Sequence, residues 1–321
     1  MSREATINVI IYYQDAERAR KVRDMVAARF PQLVVHAVST REEAERLAPE
    51  ADIIAGWGFP PDLLTKATRL RWFHKLAAGV DDIVAAGTLP KQAVLTRTDG
   101  RIFGRRMAEY VVAYMLAFSQ DIPRILRQQA ERRWQPFITR PLAGRTVGVA
   151  GVGEIGSEVV RKAAALGMRV VGWRRTPGPV DGVEHMFVGK EEFHAFLGEC
   201  EFVVIVLPLT AETRGLFDDA AFAAMRDGAY LINVGRGPIV QEQALIRALE
   251  AGKLAGATLD VFDVEPLPPD HPFWRMPNVI VTPHMSGPSV PEEVVPPFLE
   301  NIERFLSGQP LLRQIDLGRG Y

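Results

Sequence analysis

VGVAGVGEIGSEVV, running from Val147 to Val160, decides how the rest of the chain is read. It sets Gly151, Gly153 and Gly156 in G-x-G-x-x-G spacing between an apolar run, Thr146 to Ala150, and a helical pattern, Glu154 to Leu166. Glycines are common and the spacing by itself is weak. Here a strand precedes it, a helix follows it and a second strand ends at Trp173, which is the setting a dinucleotide site requires. Gly151 permits the tight turn, Gly153 lets the backbone approach a pyrophosphate, and Gly156 lets helix and strand pack closely. Glu154 and Ile155 stand on the first helical turn, where free N–H groups and the positive dipole end favour an anion. A glycine turn without a ligand is the plain alternative.

The flanking sequence has the same grammar. TVGVA, RVVGW, FVVIVL, AYLINV, ATLDV and NVIVT are short and almost wholly apolar, as strands buried on both faces must be. Helical patterns such as QEQALIRALEAGKL separate several of them, so about six parallel strands are expected in one doubly wound α/β sheet. The first hundred residues alternate in the same way. INVIIYY, LVVHAVS, ADIIAGW and LRWFHKL read as strands; in DAERARKVRDMVAARF, Val22, Met25, Val26 and Phe30 recur at helical spacing behind Asp15 as N-cap. The run Met107 to Gln129 has few breakers before Pro123 and predicts one long helix, and VVPPFLENIERFL predicts a closing helix. The expected layout is discontinuous: residues 1–102 with 287–321 form a substrate-binding domain around a nucleotide-binding domain of residues 103–286. Two domains joined in this way leave a cleft, the usual place for a small ligand.

Bulk properties remove other classes. A chain of 321 residues with 47% hydrophobic and 24% charged residues is an ordinary globular protein. Its net charge of −1 gives no footprint for nucleic acid or an anionic membrane. The lone Cys200 allows no disulfide within the chain. MSREATINVIIYY, with Glu4, does not read as a secretory signal, and the apolar stretch from Tyr110 to Phe118 is too short to span a bilayer. A cytoplasmic protein is expected, with no membrane or nucleic-acid partner. No HExxH pattern or cysteine cluster indicates a metal.

RVVGWRRTPG, from Arg169 to Gly178, carries the specificity signal. An acid normally stands near this point to bind the ribose 2′-OH; here Arg174 takes its place with Arg175 beside it. Guanidinium groups hydrogen-bond a 2′-phosphate through charge-assisted contacts worth about 1.5–3 kcal/mol each. NADP(H) is the expected cofactor, with NAD as the alternative, since arginine also stacks on adenine. A solvated basic strand end is the plain alternative.

Three further stretches fall at or just after the C-terminal ends of expected strands, the edge where open parallel sheets bind ligands. They are LINVGRGPIV with Arg236, LDVFDVEPLP with Glu265 and VIVTPHMSG with His284. Hydride transfer to a 2-keto acid needs a cation for the carboxylate, a proton donor for the carbonyl oxygen and an anion to keep that donor charged. Arg236, His284 and Glu265 are of those three types. Singly, His284 also reads as a capping or core histidine and Glu265 as a turn residue. The glycines flanking Arg236 suggest backbone packed against a ligand.

In this order and spacing, GVGEIG, LPLT, INVGRGPIV, LDVFDVEPLP and NVIVTPH resemble the D-isomer-specific 2-hydroxyacid dehydrogenase family, over nearly the whole chain. The resemblance implies a Rossmann domain inserted in a smaller flavodoxin-like α/β substrate domain, and a homodimer. It implies that Arg236 orients substrate, His284 is the acid/base and Glu265 its partner. It further gives Asp260 to the nicotinamide carboxamide, and Leu207, Pro208 and Val234 to the cofactor pocket. LAAGVDDI matches the family's substrate loop, so the N–H groups of Ala78 and Gly79 would bind the carboxylate; Trp57 either faces substrate or is structural. GWRRT, RRWQPF, PFWRMPNV and RQIDLGRGY are similar to the glyoxylate/hydroxypyruvate reductase A branch, while DGRIFGRRMAEY and the residues after His284 depart from it. The leading expectation is NADPH-dependent reduction of glyoxylate or hydroxypyruvate. An NAD-dependent dehydrogenase of another specificity and a non-enzymatic dinucleotide-sensing interaction protein stay open beside it.

Overall fold

The structure is a computed structural model describing residues 6–318; Glu4 and the end of the terminal stretch, residues 319–321, lie outside the described residues. The chain divides into two compact units, Met1–Ile102 with Ser289–Tyr321, and Phe103–Pro288.

The first unit opens with β1 (Asn8–Tyr12), α1 (Ala16–Arg29), β2 (Val34–Val38), α2 (Arg41–Leu47), β3 (Ile53–Gly56), β4 (Trp72–Lys75), α3 (Asp81–Ala86) and β5 (Val94–Arg97). All five strands pair in parallel, in the order β2-β1-β3-β4-β5. Val9, Ile10 and Ile11 of β1 are buried because helices cover both faces. Asp15 caps α1 by accepting the N–H groups of Glu17 and Arg18, and Val22 and Val26 bury their side chains.

α4 (Gly100–Ser119) leads into the second unit. The single long helix expected over Met107 to Gln129 is instead two. α4 stops at Ser119, and α5 (Ile122–Ala130) starts after Asp121, which adopts φ 49° and accepts the Arg124 N–H at 3.3 Å. Pro123 has no N–H to give an existing helix, so it is accommodated only in the first turn of a new one.

The second unit continues with β6 (Thr146–Ala150), α6 (Glu154–Ala165), β7 (Arg169–Arg174), β8 (His185–Val188), α7 (Phe193–Glu199) and β9 (Phe202–Ile205). It then adds α8 (Asp219–Ala224), β10 (Ala229–Asn233), α9 (Glu242–Glu250), β11 (Leu254–Leu259) and β12 (Val279–Val281). Its parallel sheet runs β12-β11-β10-β9-β6-β7-β8, seven strands rather than about six. The extra strand, β8, pairs only with β7 at the edge and is partly exposed, so it lacks the apolar signature of a central strand. Chain direction across the sheet reverses between β6 and β9, which puts a switch point at the glycine loop. A continuous apolar core that includes Val203, Ile205, Phe217, Leu231 and Leu259 fixes these strands.

α10 (Pro291–Leu306) completes the first unit. Its Phe298 packs 5.2 Å from the Trp72 ring and 4.9 Å from the His74 ring, between ring centroids. Among the described residues, no helix is long and apolar enough to cross a membrane.

Candidate active site

The glycine loop has the tight turn and close helix packing that its spacing predicts. Gly151 sits at φ +103° with a Cβ position only 2.6 Å from the Val206 carbonyl oxygen, so both backbone and space exclude a side chain. A Cβ on Gly156 would collide with the Gly151 carbonyl, which is why α6 approaches β6 so closely. Over Gly153 the space is open, and Gly153 forms the N-cap of α6 without any side-chain cap. The N–H groups of Ile155 and Gly156 meet no acceptor among the described residues, while Glu154 stands beside them in the first turn. Backbone donors grouped at a helix N-terminus in this way suit an anion.

Leu207 follows β9, buried, with Cδ2 at 3.1 Å from the Cβ position of Gly151. Pro208 is exposed and its carbonyl accepts from Thr213 Oγ1 at 2.7 Å. Val234 is buried at the end of β10 and its N–H reaches the Ile205 carbonyl at 3.1 Å. Arg174 ends β7, half-buried, with Nη2 donating to the Gly178 carbonyl at 2.6 Å. Its Nε is buried without a partner among the described residues. Arg175 Nη1 lies 3.9 Å from Glu212 Oε2.

The loop after β10 is built by Asn233. Its buried side chain accepts the Gly235 N–H at 3.0 Å and donates to the Arg236 carbonyl at 3.1 Å. Arg236 is thereby set in extended backbone, φ −143°, with Nη1 donating to the Gly235 carbonyl at 2.8 Å. The flanking glycines, which suggested backbone against a ligand, are explained by chain packed on chain. A Cβ on Gly237 would strike the Phe262 backbone, and one on Gly235 would lie 2.9 Å from the Leu207 carbonyl oxygen. Gly237 thus admits the loop that carries Glu265.

Glu265 and His284 are in contact: His284 Nδ1 and Glu265 Oε2 are 2.7 Å apart. Glu265 Oε1 accepts the Phe262 N–H at 3.0 Å. Burial by itself raises the Glu265 carboxyl, but the hydrogen bonds from His284 and Phe262 and the charges of His284 and Arg236 outweigh it, and the group stays below its ordinary range. The three residue types picked from sequence are therefore coupled in space. His284 also holds a left-handed backbone, φ 49°, which costs a residue with a side chain about 1–3 kcal/mol and persists only where the surroundings impose it. Its N–H donates to the Asp260 carbonyl at 2.9 Å.

Asp260 is fully buried. Its Oδ1 accepts from Thr282 Oγ1 at 2.6 Å and from the Met285 N–H at 2.9 Å, and its Oδ2 accepts from the Ser286 N–H at 2.9 Å. Thr282, like Asn233, was not singled out from sequence, although both lie inside quoted motifs.

In the first unit, Trp57 follows β3 and is 43% exposed, so it is not a buried structural tryptophan. The N–H groups of Ala78 and Gly79, in the loop after β4, find no acceptor among the described residues. Thr98 N–H and Ser289 Oγ hold that loop through the carbonyls of Ala77 (3.2 Å) and Leu76 (2.8 Å). No group of three or more His, Cys, Asp or Glu side chains that would hold a metal occurs among the described residues.

The profile described as D-isomer specific 2-hydroxyacid dehydrogenase, NAD binding domain, matches residues 112–286. A glyoxylate/hydroxypyruvate reductase A of Serratia proteamaculans is 35% identical over 97% of this chain and 99% of its own length. Among solved structures, a D-isomer specific 2-hydroxyacid dehydrogenase from Xanthobacter autotrophicus, in complex with NADPH and MES, shares 37% identity with a TM-score of 0.86, covering 98% of this chain and 99% of its own. An NADPH-dependent glyoxylate/hydroxypyruvate reductase from Sinorhizobium meliloti, in complex with NADP and sulfate, shares 33% identity with a TM-score of 0.90, covering 98% of this chain and all of its own (100%).

Proposed function

Because the chain belongs to the D-isomer specific 2-hydroxyacid dehydrogenase family, we propose that it reduces small 2-keto acids, glyoxylate and hydroxypyruvate among them, to 2-hydroxy acids with NADPH. The observation that carries this reading is the Glu265–His284 contact at 2.7 Å with the charge of Arg236 acting on the same carboxylate. The relatives named for glyoxylate and hydroxypyruvate reduction support the substrate class.

The residues present fit the cofactor. Ile155 and Gly156 offer free N–H groups to a pyrophosphate beside the open face of Gly153. Arg174 spends Nη2 on the Gly178 carbonyl and keeps further guanidinium N–H groups, as a phosphate receptor at the ribose needs. When bound, NADPH supplies the hydride that reaches the substrate carbonyl carbon. Glu265 occupies Nδ1 of His284, which leaves Nε2 to give a proton to the carbonyl oxygen and to reclaim it in the reverse direction. The same carboxylate orients the ring for that transfer. Arg236 supplies the fixed cation for the substrate carboxylate, held by the Asn233 bridge across its loop. Within the first unit taken by itself, the unengaged N–H groups of Ala78 and Gly79 are of a kind that suits an anion.

A homodimer in the cytoplasm is part of the same reading. Leu126, Trp134 and Ile138 in α5 and the segment after it are 59%, 95% and 99% exposed, an apolar surface suited to a second copy. The test is NADPH consumption with glyoxylate, hydroxypyruvate and pyruvate. Turnover with at least one supports the reading; absence of turnover with every 2-keto acid tried sinks it.

A further inference from the structure

The turn that presents His284 is held from beneath by one residue. Asp260 takes the His284 N–H on its carbonyl and the Met285 and Ser286 N–H groups on its carboxylate. A carboxylate only accepts, so the Thr282 hydroxyl, 2.6 Å from Oδ1, must be a donor to it. That leaves Thr282 Oγ1 with lone pairs and no further proton. The Tyr110 hydroxyl, 2.6 Å away, is therefore the donor in the second contact. Burial and the neighbouring Asp260 charge push the Tyr110 phenol up, so it keeps its proton at any working pH. The hydrogen-bond chain runs in one direction: from Tyr110 on α4, through Thr282 after β12, to Asp260 after β11. It spans 172 residues of sequence between its first two members. The Tyr114 ring lies 4.5 Å from Tyr110 and supports it on α4.

We infer that Tyr110 and Thr282 are positioning residues for the proton donor, fixing the Asp260 carboxylate that in turn holds the 282–286 turn and the His284 ring. The inference rests on the proposed reductase chemistry for its kinetic consequence, but the arrangement itself is independent of it. If Asp260 served the cofactor alone, weakening its support would be felt in cofactor affinity. As the anchor of the His284 turn, it affects the chemical step: misplacement by about an ångström costs about 100-fold in rate.

The experiment compares wild type, Thr282→Val, Thr282→Ser and Tyr110→Phe with two readouts. One is kcat with glyoxylate alongside the NADPH dissociation constant. The other is the rate at which diethylpyrocarbonate modifies His284, followed by peptide mass. Thr282→Val keeps the shape and removes the hydroxyl; kcat should fall about 10- to 100-fold with little change in NADPH affinity. His284 modification should rise severalfold as the ring leaves Glu265. Thr282→Ser should restore most of both, and Tyr110→Phe should change both in the same direction by less. Unchanged kcat and unchanged modification in Thr282→Val overturn the inference, as does failure of serine to rescue. If Thr282→Val does not fold, Tyr110→Phe decides by the same two readouts. If wild type turns over no keto acid, the reductase reading fails, and the modification rates still judge the positioning role.

Discussion

Replacing Arg174 measures how the protein tells two cofactors apart. Its guanidinium is held by one bond, Nη2 to the Gly178 carbonyl at 2.6 Å, which leaves further N–H donors of the group. A donor held in place and unspent gives close to the full value of a charge-assisted hydrogen bond, about 1.5–3 kcal/mol. Each 1.4 kcal/mol or so is a factor of about ten, so Arg174→Ala should lower kcat/KM with NADPH about 10- to 100-fold. NADH lacks the 2′-phosphate and should be used almost as before. The Gly178 carbonyl loses its donor in the variant, but equally for both cofactors, and the ratio of the two kcat/KM values cancels that effect. Arg174→Asp adds repulsion and should invert the preference. Because Arg174 is half-exposed, the discrimination should shrink as salt is raised. Initial rates with each cofactor, at one keto-acid concentration and fixed ionic strength, supply the numbers. An NADPH/NADH ratio unchanged in Arg174→Ala would refute the reasoning.

Arg236→Ala should raise KM for the keto acid and lower kcat together, about 100-fold or more in kcat/KM, since a cation that holds the carboxylate and also orients the carbonyl for hydride attack acts on bound substrate and more strongly on the transition state; steady-state kinetics check it, and a pure KM effect would remove Arg236 from the reaction centre. Glu265 lies below its ordinary value of 4.5, so the stability from its contact with His284 is complete above that value and lost as pH falls through the depressed one. Wild type should therefore lose stability relative to Glu265→Gln only on the acid side, as denaturant unfolding across pH will show. Burial pushes His74 down from 6.5 to about 3. Its unfolded form binds a proton below 6.5 that the folded form refuses, so stability should decline by about 1.4 kcal/mol per pH unit in that window. His74→Gln should flatten that part of the curve; an identical slope would show that His74 charges in the folded state.

Sequence patterns identify those parts of the molecule governed by short-range rules. The glycine loop was legible because the turn and the helix packing each restrict one position, Gly151 and Gly156, and Gly153 completes the spacing at the helix N-cap. The central strands were legible because burial on both faces leaves only apolar residues, as in FVVI of β9. β8 and β5 were not, because an edge strand keeps polar residues: HMFV and VLTR do not stand out from loop sequence. The break between α4 and α5 follows from Asp121 and Pro123 together, a cap and a first-turn proline inside an apolar run that otherwise favours one helix. Arg236, Glu265 and His284 were legible as residue types at strand ends, but the roles of Asn233, Tyr110 and Thr282 were not. Those roles are hydrogen bonds set by the fold, and the Tyr110–Thr282 bond joins residues with no periodic relation.

His284→Ala, assayed beside wild type for NADPH consumption with glyoxylate or hydroxypyruvate, tests the central claim most directly. Wild type should turn over, and the variant should lose about 10²–10⁴ in kcat while still binding NADPH, because only the proton donor has gone. Near wild-type turnover by His284→Ala would contradict the account.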